Sequence, residues 1–542
     1  MPFSALRRVP ATPRAAQADK IKSKAFPAPT GGWLSATNLA AVPPGYAYAL
    51  ENWFPTTTGI KLRSGSALWG TAKAANDKPV ESMIAYIAGA TRQLFAACNG
   101  SIFPFTSPAT PTTVPSAAVT GQTSNYYSSV NFQTAGGNFL TACNGTDSCL
   151  LYDGSTWEAQ TGSSTHAITG VTTSTLSHVW VSQNRMWFVQ KNTMTAWFLP
   201  VNSIAGAAQS LSLAGVFQRG GSLVLGANWS VNTGGGLFNL TVFVSSEGEY
   251  AIYQGTDPTS STTWSLVGVY FGSPPLGANQ NCFMQAGGDL LILTYAGIVS
   301  MSNIQTKDTA ALSISAITKN ISPDWIIEQG NRRGIPWEIM KWPSRNYAII
   351  NCPVTSPTTP AISFVVNLET GAWCKYVGWD TRCLVLHNDQ LFFGTNAGTV
   401  VAAETTGSDQ GALYYSVFVG HMDHLGAVGR SKVIKQARAT FRSTNDFIPK
   451  LSVTTDYVVT LPVAPNAGSP TVSPATWDVG VWDVAKWDTG LTFYTVSTKW
   501  VTIGKTGFAH APVLQVTNGA VQAPGAELVL IELTYQPGAL VG

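Results

Sequence analysis

Charge is what this 542-residue chain has least of: Asp, Glu, Lys and Arg together make 11% of it, against roughly 25% in an ordinary soluble domain. A surface so short of charge has little to keep separate copies apart, and assembly into a larger body is the expectation. The chain has no run of 18 apolar residues and no apolar segment near its start, so neither a membrane span nor a secretory signal is indicated. Its seven cysteines (98, 143, 149, 282, 352, 374 and 383) include no Cys-x-x-Cys pair. Zinc is therefore unsupported, and most of them are expected as reduced, buried thiols. Gly-x-Ser-x-Gly, Gly-x-Gly-x-x-Gly, a P-loop and His-Glu-x-x-His are all missing, which leaves no motif for the common hydrolase, dinucleotide, NTPase and metalloprotease chemistries. Helical periodicity is nearly absent; the best stretch runs from Pro323 to Gly330.

What is abundant points one way. Gly (51) and Pro (31), with much Ser, Thr and Asn, punctuate a chain that is 45% apolar. This is the profile of an all-β protein of many short strands and turns. Internal self-similarity sharpens it. FAACNG (95–100) and LTACNG (140–145) match at an offset of 45, and AGGNFLTACNG and AGGDLLILTYAG at about 151. GGDLLILTYAGIVSM and HNDQLFFGTNAGTVVAA match at about 100. Polar-then-apolar starts recur near Arg92, Asn138, Asn184, Asn239, Asp289, Asn346 and Asp389, with hairpin-like pieces such as LLYDGSTWEA and FVVNLETGAW between them. Units of 40–50 residues, each of about four short strands, are what a β-propeller requires, because one blade cannot bury either of its faces alone. Residues 86–405 are expected to form a propeller of about six to eight blades; a pair of β-sandwiches is the competing fold. The flanks, 31–85 and 406–542, lack the unit and contain longer alternating strands. Because they bracket the ring, they are expected to pack together as a second β-rich platform domain into which the propeller is inserted.

Residues 1–30 form a third kind of segment. Arg7, Arg8, Arg14, Lys20, Lys22 and Lys24 stand against Asp19 alone, so a basic, Pro/Ala-rich extended arm is attached to a slightly acidic body. Such an arm suits an acidic partner or nucleic acid, or is simply a solvated leader. Its composition is also that of a mitochondrial transit peptide, but Pro10, Pro13, Pro27 and Pro29 break the helix such a peptide needs.

Candidate chemistry is sparse. His421, Asp423 and His424 in HMDH have two metal-ligand types at close spacing but no third set nearby. Glu247 and Glu249 stand at strand spacing, as paired acids of a glycoside hydrolase would. YDGSTW (152–157) resembles part of the Asp-box turn of sialidase propellers but has Leu151 where that turn has Ser. No catalytic residue, metal ligand or cofactor is assigned.

The string TWDVGVWDVAKWDTG (476–490) places Trp-Asp pairs at Trp477/Asp478, Trp482/Asp483 and Trp487/Asp488. WD-repeat propellers carry that pair once per blade, about 40–45 residues apart; a period of five cannot mark blades. Three Trp in eleven residues suit a loop whose aromatic side chains plug grooves at a subunit interface, each Asp capping the turn that follows. A Trp-rich loop packed on its own domain is the alternative.

The segment GGWLSATNLAAVPPGYAYALENWFPTTTGIKLRSGSALWG (31–70) is similar to the N-terminal signature of tail proteins of short-tailed bacteriophages. Its elements are Gly31/Gly32, Pro43/Pro44, Leu50, Asn52, Pro55, Arg63 and Gly65, with Asn52 and Pro55 suited to fixing a turn. SVFVGHMDHLGAVGRSKVIKQARATFRS and the closing ELTYQPG resemble the C-terminal part of the same proteins, and the basic arm has no counterpart in the pattern. With an inserted propeller, the chain resembles the tail nozzle (tail tubular protein B) family. The resemblance implies a structural virion protein, not an enzyme: a homohexamer assembled in the host cytoplasm, attached to the tail adaptor and contacting fibres or spikes. Double-stranded DNA would pass its lumen without specific binding, which few basic residues favour, since each phosphate contact adds affinity. A stand-alone propeller binding host-surface carbohydrate is the alternative, with a glycoside hydrolase behind it.

Overall fold

The computed structural model describes the chain except residues 1–19, 37, 74–77, 109–112, 233–236, 277–280, 355–357, 427, 445–446, 468–493, 521 and 541–542. The fold is all-β, and its centre is a propeller. Antiparallel units follow one another along the chain, each a meander of three or four strands. Their first strands are Val80–Ala88, Ser128–Thr134, Leu176–Ser182, Leu223–Asn232, Phe283–Ala286, Ile339–Trp342 and Cys383–His387. Successive units pack against each other through these inner strands, and the last packs back on the first to close the ring. Six units are sheets of their own; the one spanning Ile339–Val377 fills the remaining place and continues into a sheet of the flanks.

The polar starts read from sequence lie at or beside the beginning of the second strand in each unit. The reason is local. Tight two-residue hairpins between right-twisted strands need φ > 0 at both central positions. Gln183 and Asn184 (φ 52 and 55), Gly287 and Gly288 (61 and 94) and Asn388 and Asp389 (50 and 59) supply it. The following strands are the most buried: Leu290–Thr294 and Leu391–Gly394 are wholly buried.

The ring is closed by a strand from far away in sequence. Gly65–Thr71 pairs antiparallel with Thr399–Thr406 as the outer strand of the last unit. The ring thus takes in residues before position 86, because an outer strand donated from the other end of the chain locks a propeller shut.

The flanks pair with one another in two sheets. In the first, Trp53–Pro55 and Ile60–Leu62 form a hairpin beside Glu527–Leu540, which pairs along its length with Arg430–Ser443. In the second, Ala49–Glu51 joins Trp373–Val377 of the ring to Tyr414–Val419, and His510–Asn518 and Pro449–Thr455 follow. The final part of the region read as an arm is a strand: Lys22–Pro27 pairs with Glu527–Leu540. There Lys20 and Lys22 are exposed and Lys24 forms an ion pair with Asp423 at 3.2 Å. Arg7, Arg8 and Arg14 lie outside the described residues.

Among the described residues, α-helix is confined to one excursion after the fifth unit: α1 (Met301–Thr306), α2 (Thr309–Ser315) and α3 (Ser322–Asn331), the last covering the stretch expected to be helical. No helix among the described residues is long and apolar enough to cross a membrane. Cys143 and Cys149 form a disulfide across the loop that links two strands of the second unit. The other five cysteines are buried.

Candidate functional site: the joint between ring and flanks

An inserted domain is tied to its host by two crossings of the chain. Here they run from Leu62 to Gly65 and from Thr406 to Tyr414, and a single buried cluster pins them together. Arg63, 2% exposed, lies on the first crossing. Its two terminal nitrogens grip both carboxylate oxygens of Asp409, on the second crossing, at 3.0 and 2.6 Å. It also donates to Asn52 Oδ1 (2.8 Å) and to the carbonyls of Ser64 and Val377 (3.0 Å each). The guanidinium plane is boxed by Tyr414, Trp379 and Tyr376, with ring centroids 4.0, 4.7 and 5.6 Å away. Arginine suits this place because its planar fork matches a carboxylate and stacks on aromatic faces. Burial alone would lower its pKa; the hydrogen bond and charge of Asp409 outweigh that and hold it above its ordinary value.

Asn52 is the hub beside it. Its φ of 58 is left-handed, which Asn tolerates better than most residues. The strand Ala49–Glu51 ends there and the hairpin strand Trp53–Pro55 begins. Its Oδ1 accepts from Val377 N (2.8 Å) as well as Arg63, and its Nδ2 donates to the carbonyl of Tyr415 (2.6 Å). One side chain thus ties ring strand Trp373–Val377 to flank strand Tyr414–Val419. Gly65 opens the closing strand of the ring; a Cβ there would run into the carbonyl of Ser408. Ser66 and Trp379 complete Asp409's shell, donating at 3.2 and 3.0 Å. A second acid, Glu404, accepts from the hydroxyls of Tyr376 (3.1 Å) and Tyr347 (3.2 Å). Burial raises its pKa, with Arg345 and the two hydroxyls acting against that.

The other residues singled out in the N-terminal segment serve local geometry. Pro43 and Pro44 are exposed and lead a turn in which Tyr46 N bonds the carbonyl of Pro43 (3.3 Å), with Gly45 at φ 87. That is a type II turn, with Pro and Gly where their φ values belong. Pro55 is buried and its carbonyl accepts from Asn367 Nδ2 at 2.8 Å. Gly32 runs beside Trp373, too close for a side chain. Beside the joint, Trp33, Ser35, Tyr48, Glu51, Asp324 and Lys375 line a cleft of about 210 Å³, where Lys375 pairs with Asp324 at 3.1 Å.

Three candidate chemical groupings dissolve into structure. Glu247 is exposed in a hairpin turn, whereas Glu249 is buried and accepts from the backbone of Gln218 and Arg219 (2.8 Å each). They do not share a face, since the strands stop at Ser245 and resume at Glu249. Asp153 of YDGSTW caps its own hairpin, taking the backbone NH groups of Ser155 and Thr156 at 2.8 and 2.7 Å; these bonds hold its carboxyl well below the usual range. His421 packs on Phe26, Asp423 takes Lys24 and the NH of Leu425, and His424 faces the Tyr457 hydroxyl. Among the described residues, no three His, Cys, Asp or Glu side chains are grouped to hold a metal ion. Trp477, Trp482, Trp487, Asp478, Asp483 and Asp488 lie outside the described residues.

No family model and no curated protein sequence matches the chain. Solved structures similar to it are propellers or parts of them, at low identity. Sqt1 of Saccharomyces cerevisiae matches at 10% identity over 64% of this chain and 100% of its own, with a TM-score of 0.37. YCF48 from Cyanidioschyzon merolae matches at 8% over 62% and 99%, with a TM-score of 0.34. BBS1N, solved in complex with ARL6DN, matches at 14% over 40% of this chain and 63% of that one, with a TM-score of 0.26.

Proposed function

We propose that the chain is a structural subunit of a short bacteriophage tail: a nozzle protein that assembles as a homohexamer below the tail adaptor and lets the genome pass during ejection. The observation that carries this reading is the placement of Asn52, Arg63 and Gly65. These residues are among those that carry the resemblance to the tail nozzle family; Arg63 and Gly65 lie on a crossing between propeller and flanks, and Asn52 bonds to Arg63 beside it. A part that must transmit load between an adaptor and a distal ring needs its two bodies locked, and a buried, bidentate, aromatic-boxed ion pair does that.

The surface supports assembly. The C-terminal flank leaves Ile448, Tyr457, Val458, Leu461 and Val463 exposed, Val463 at 87%. Exposed apolar groups concentrated in one region are the mark of an interaction face. The Trp-Asp sequence at 476–490 follows in the same flank and is the proposed anchor of that interface. The body's near-neutral charge suits DNA passage without capture. The test is electron microscopy of the purified protein in negative stain, wild type and with Trp477, Trp482 and Trp487 changed to Ala. Six-membered rings that are lost in the triple variant support the reading; a monomer at every concentration, retaining glycans on an array, supports the carbohydrate-binding propeller instead.

A further inference from the structure

The ring holds a cavity of about 270 Å³ where the inner strands of five consecutive units begin. Its wall mixes polar groups with apolar ones, Met83, Phe283, Ile339, Leu384 and Val385 among the latter, and it contains one acid, Glu338. Glu338 is 6% exposed. Its carboxylate accepts from Asn281 Nδ2 (3.2 Å) and from the backbone NH of Leu384 (2.9 Å). A carboxylate offers about four acceptor positions, so about half of its capacity is unused. Among the described residues no Lys, Arg or His forms an ion pair with it; Arg382, which acts on it electrostatically, pairs with Glu81 at 3.7 Å. An ionised carboxylate buried without a counter-ion is costly, and here it borders open space rather than packed side chains.

We propose that this cavity is a binding site for a small organic cation, a primary ammonium carried on a short alkyl chain, with Glu338 as its counter-ion. The ammonium's three donors have the unused acceptor positions of Glu338 to meet. The alkyl part has the aliphatic wall. Phe283, in the same wall, is an aromatic ring of the kind that attracts cations. A bare metal ion is a poorer match, since one carboxylate with an amide and hydroxyls is not a ligand set for a tightly held divalent cation.

The experiment is isothermal titration calorimetry of the full chain with n-butylamine and with 1-butanol, an alcohol of similar size, on the wild type and on Glu338→Gln. Glutamine keeps an acceptor for Leu384 and should preserve the fold, which circular dichroism checks. The expected result is butylamine binding that weakens tenfold or more in Glu338→Gln, with butanol binding far more weakly to both. Phe283→Leu is the second variant and should weaken butylamine severalfold without touching the carboxylate. Equal affinity for amine and alcohol, equal affinity in wild type and Glu338→Gln, or no heat with butylamine at millimolar concentration would each overturn the proposal.

Discussion

Replacing Arg63 by Ala should open the joint. The variant strands Asp409, whose side chain is 11% exposed, without its counter-ion, and removes the donors to Asn52 Oδ1 and to two carbonyls. Breaking a buried ion pair from one side costs about 3–5 kcal/mol. The lost hydrogen bonds belong to the same network and do not add in full, so about 4 kcal/mol is the expected total. The effect is local before it is global, because the pair closes two chain crossings. Hydrogen exchange reads it best. The NH groups of Ser66 and Gln410, bonded across the crossings to the Ser408 and Ser66 carbonyls, and that of Asp409, bonded to Ala412 within the second crossing, should lose protection by roughly a thousandfold, at about 1.4 kcal/mol per tenfold. Amides of the second unit, such as those of Gly137–Cys143, should stay as in the wild type. Arg63→Lys keeps a charge but loses the fork and should fall between. If Arg63→Ala changes those three amides by less than about tenfold, the joint is not held by this pair and the reasoning fails.

Other expectations follow from the same geometry. Burial raises the Glu338 pKa to about 7 from 4.5, with bonds from Leu384 and Asn281 and the charge of Arg382 opposing it. A raised folded-state value stabilises the fold below pH 4.5, and that contribution is lost as pH rises through about 7. The loss is about 3 kcal/mol at 1.36 kcal/mol per pKa unit. Glu338→Gln should flatten this part of the pH dependence in denaturant titrations; an unchanged slope would count against a buried, titrating acid. Gly65→Ala should cost about 1–3 kcal/mol through the clash with Ser408, read as a lower denaturant midpoint, and a neutral result would mean that the strand shifts freely. Reducing the Cys143–Cys149 bridge should cost roughly 2 kcal/mol through the entropy of its short loop; thermal melts with and without reductant, beside a Cys143→Ser/Cys149→Ser variant, measure it.

The ring was legible because its hairpins leave a mark that sequence must carry. A two-residue turn with positive φ draws Asn, Asp, Gln or Gly to the same place in three of the units, and a buried second strand follows it. Asn184 and Asp389 show the pattern at its clearest. The short helical stretch was legible for a similar reason: Pro323 at the first turn of α3 and a polar-apolar alternation of helical period. Contacts set by distant parts of the chain leave no such mark. Arg63 and Asp409 lie 346 positions apart, and nothing near Asp409 announces a partner. Gly65–Thr71 reads as a flank strand because its place in the ring is decided by its pairing with Thr399–Thr406. Glu247 and Glu249 look like a pair until the turn at Gly248 separates them. Glu338 sits at the edge of an apolar strand, and only the assembly of five inner strands turns that edge into the wall of a cavity. Asn52 lies between these cases: its turn-forming character was readable, whereas its role as the hub of the joint depended on strands more than 300 residues away.

The proposed ring-forming structural subunit requires its propeller and flanks to act as one locked body. Native mass spectrometry of the full-length protein across a dilution series tests it most directly, with negative-stain images of the same samples. The expected result is a hexamer that persists on dilution and appears as closed six-membered rings. A chain that remains monomeric at all concentrations, in the absence of any other tail component, would contradict it.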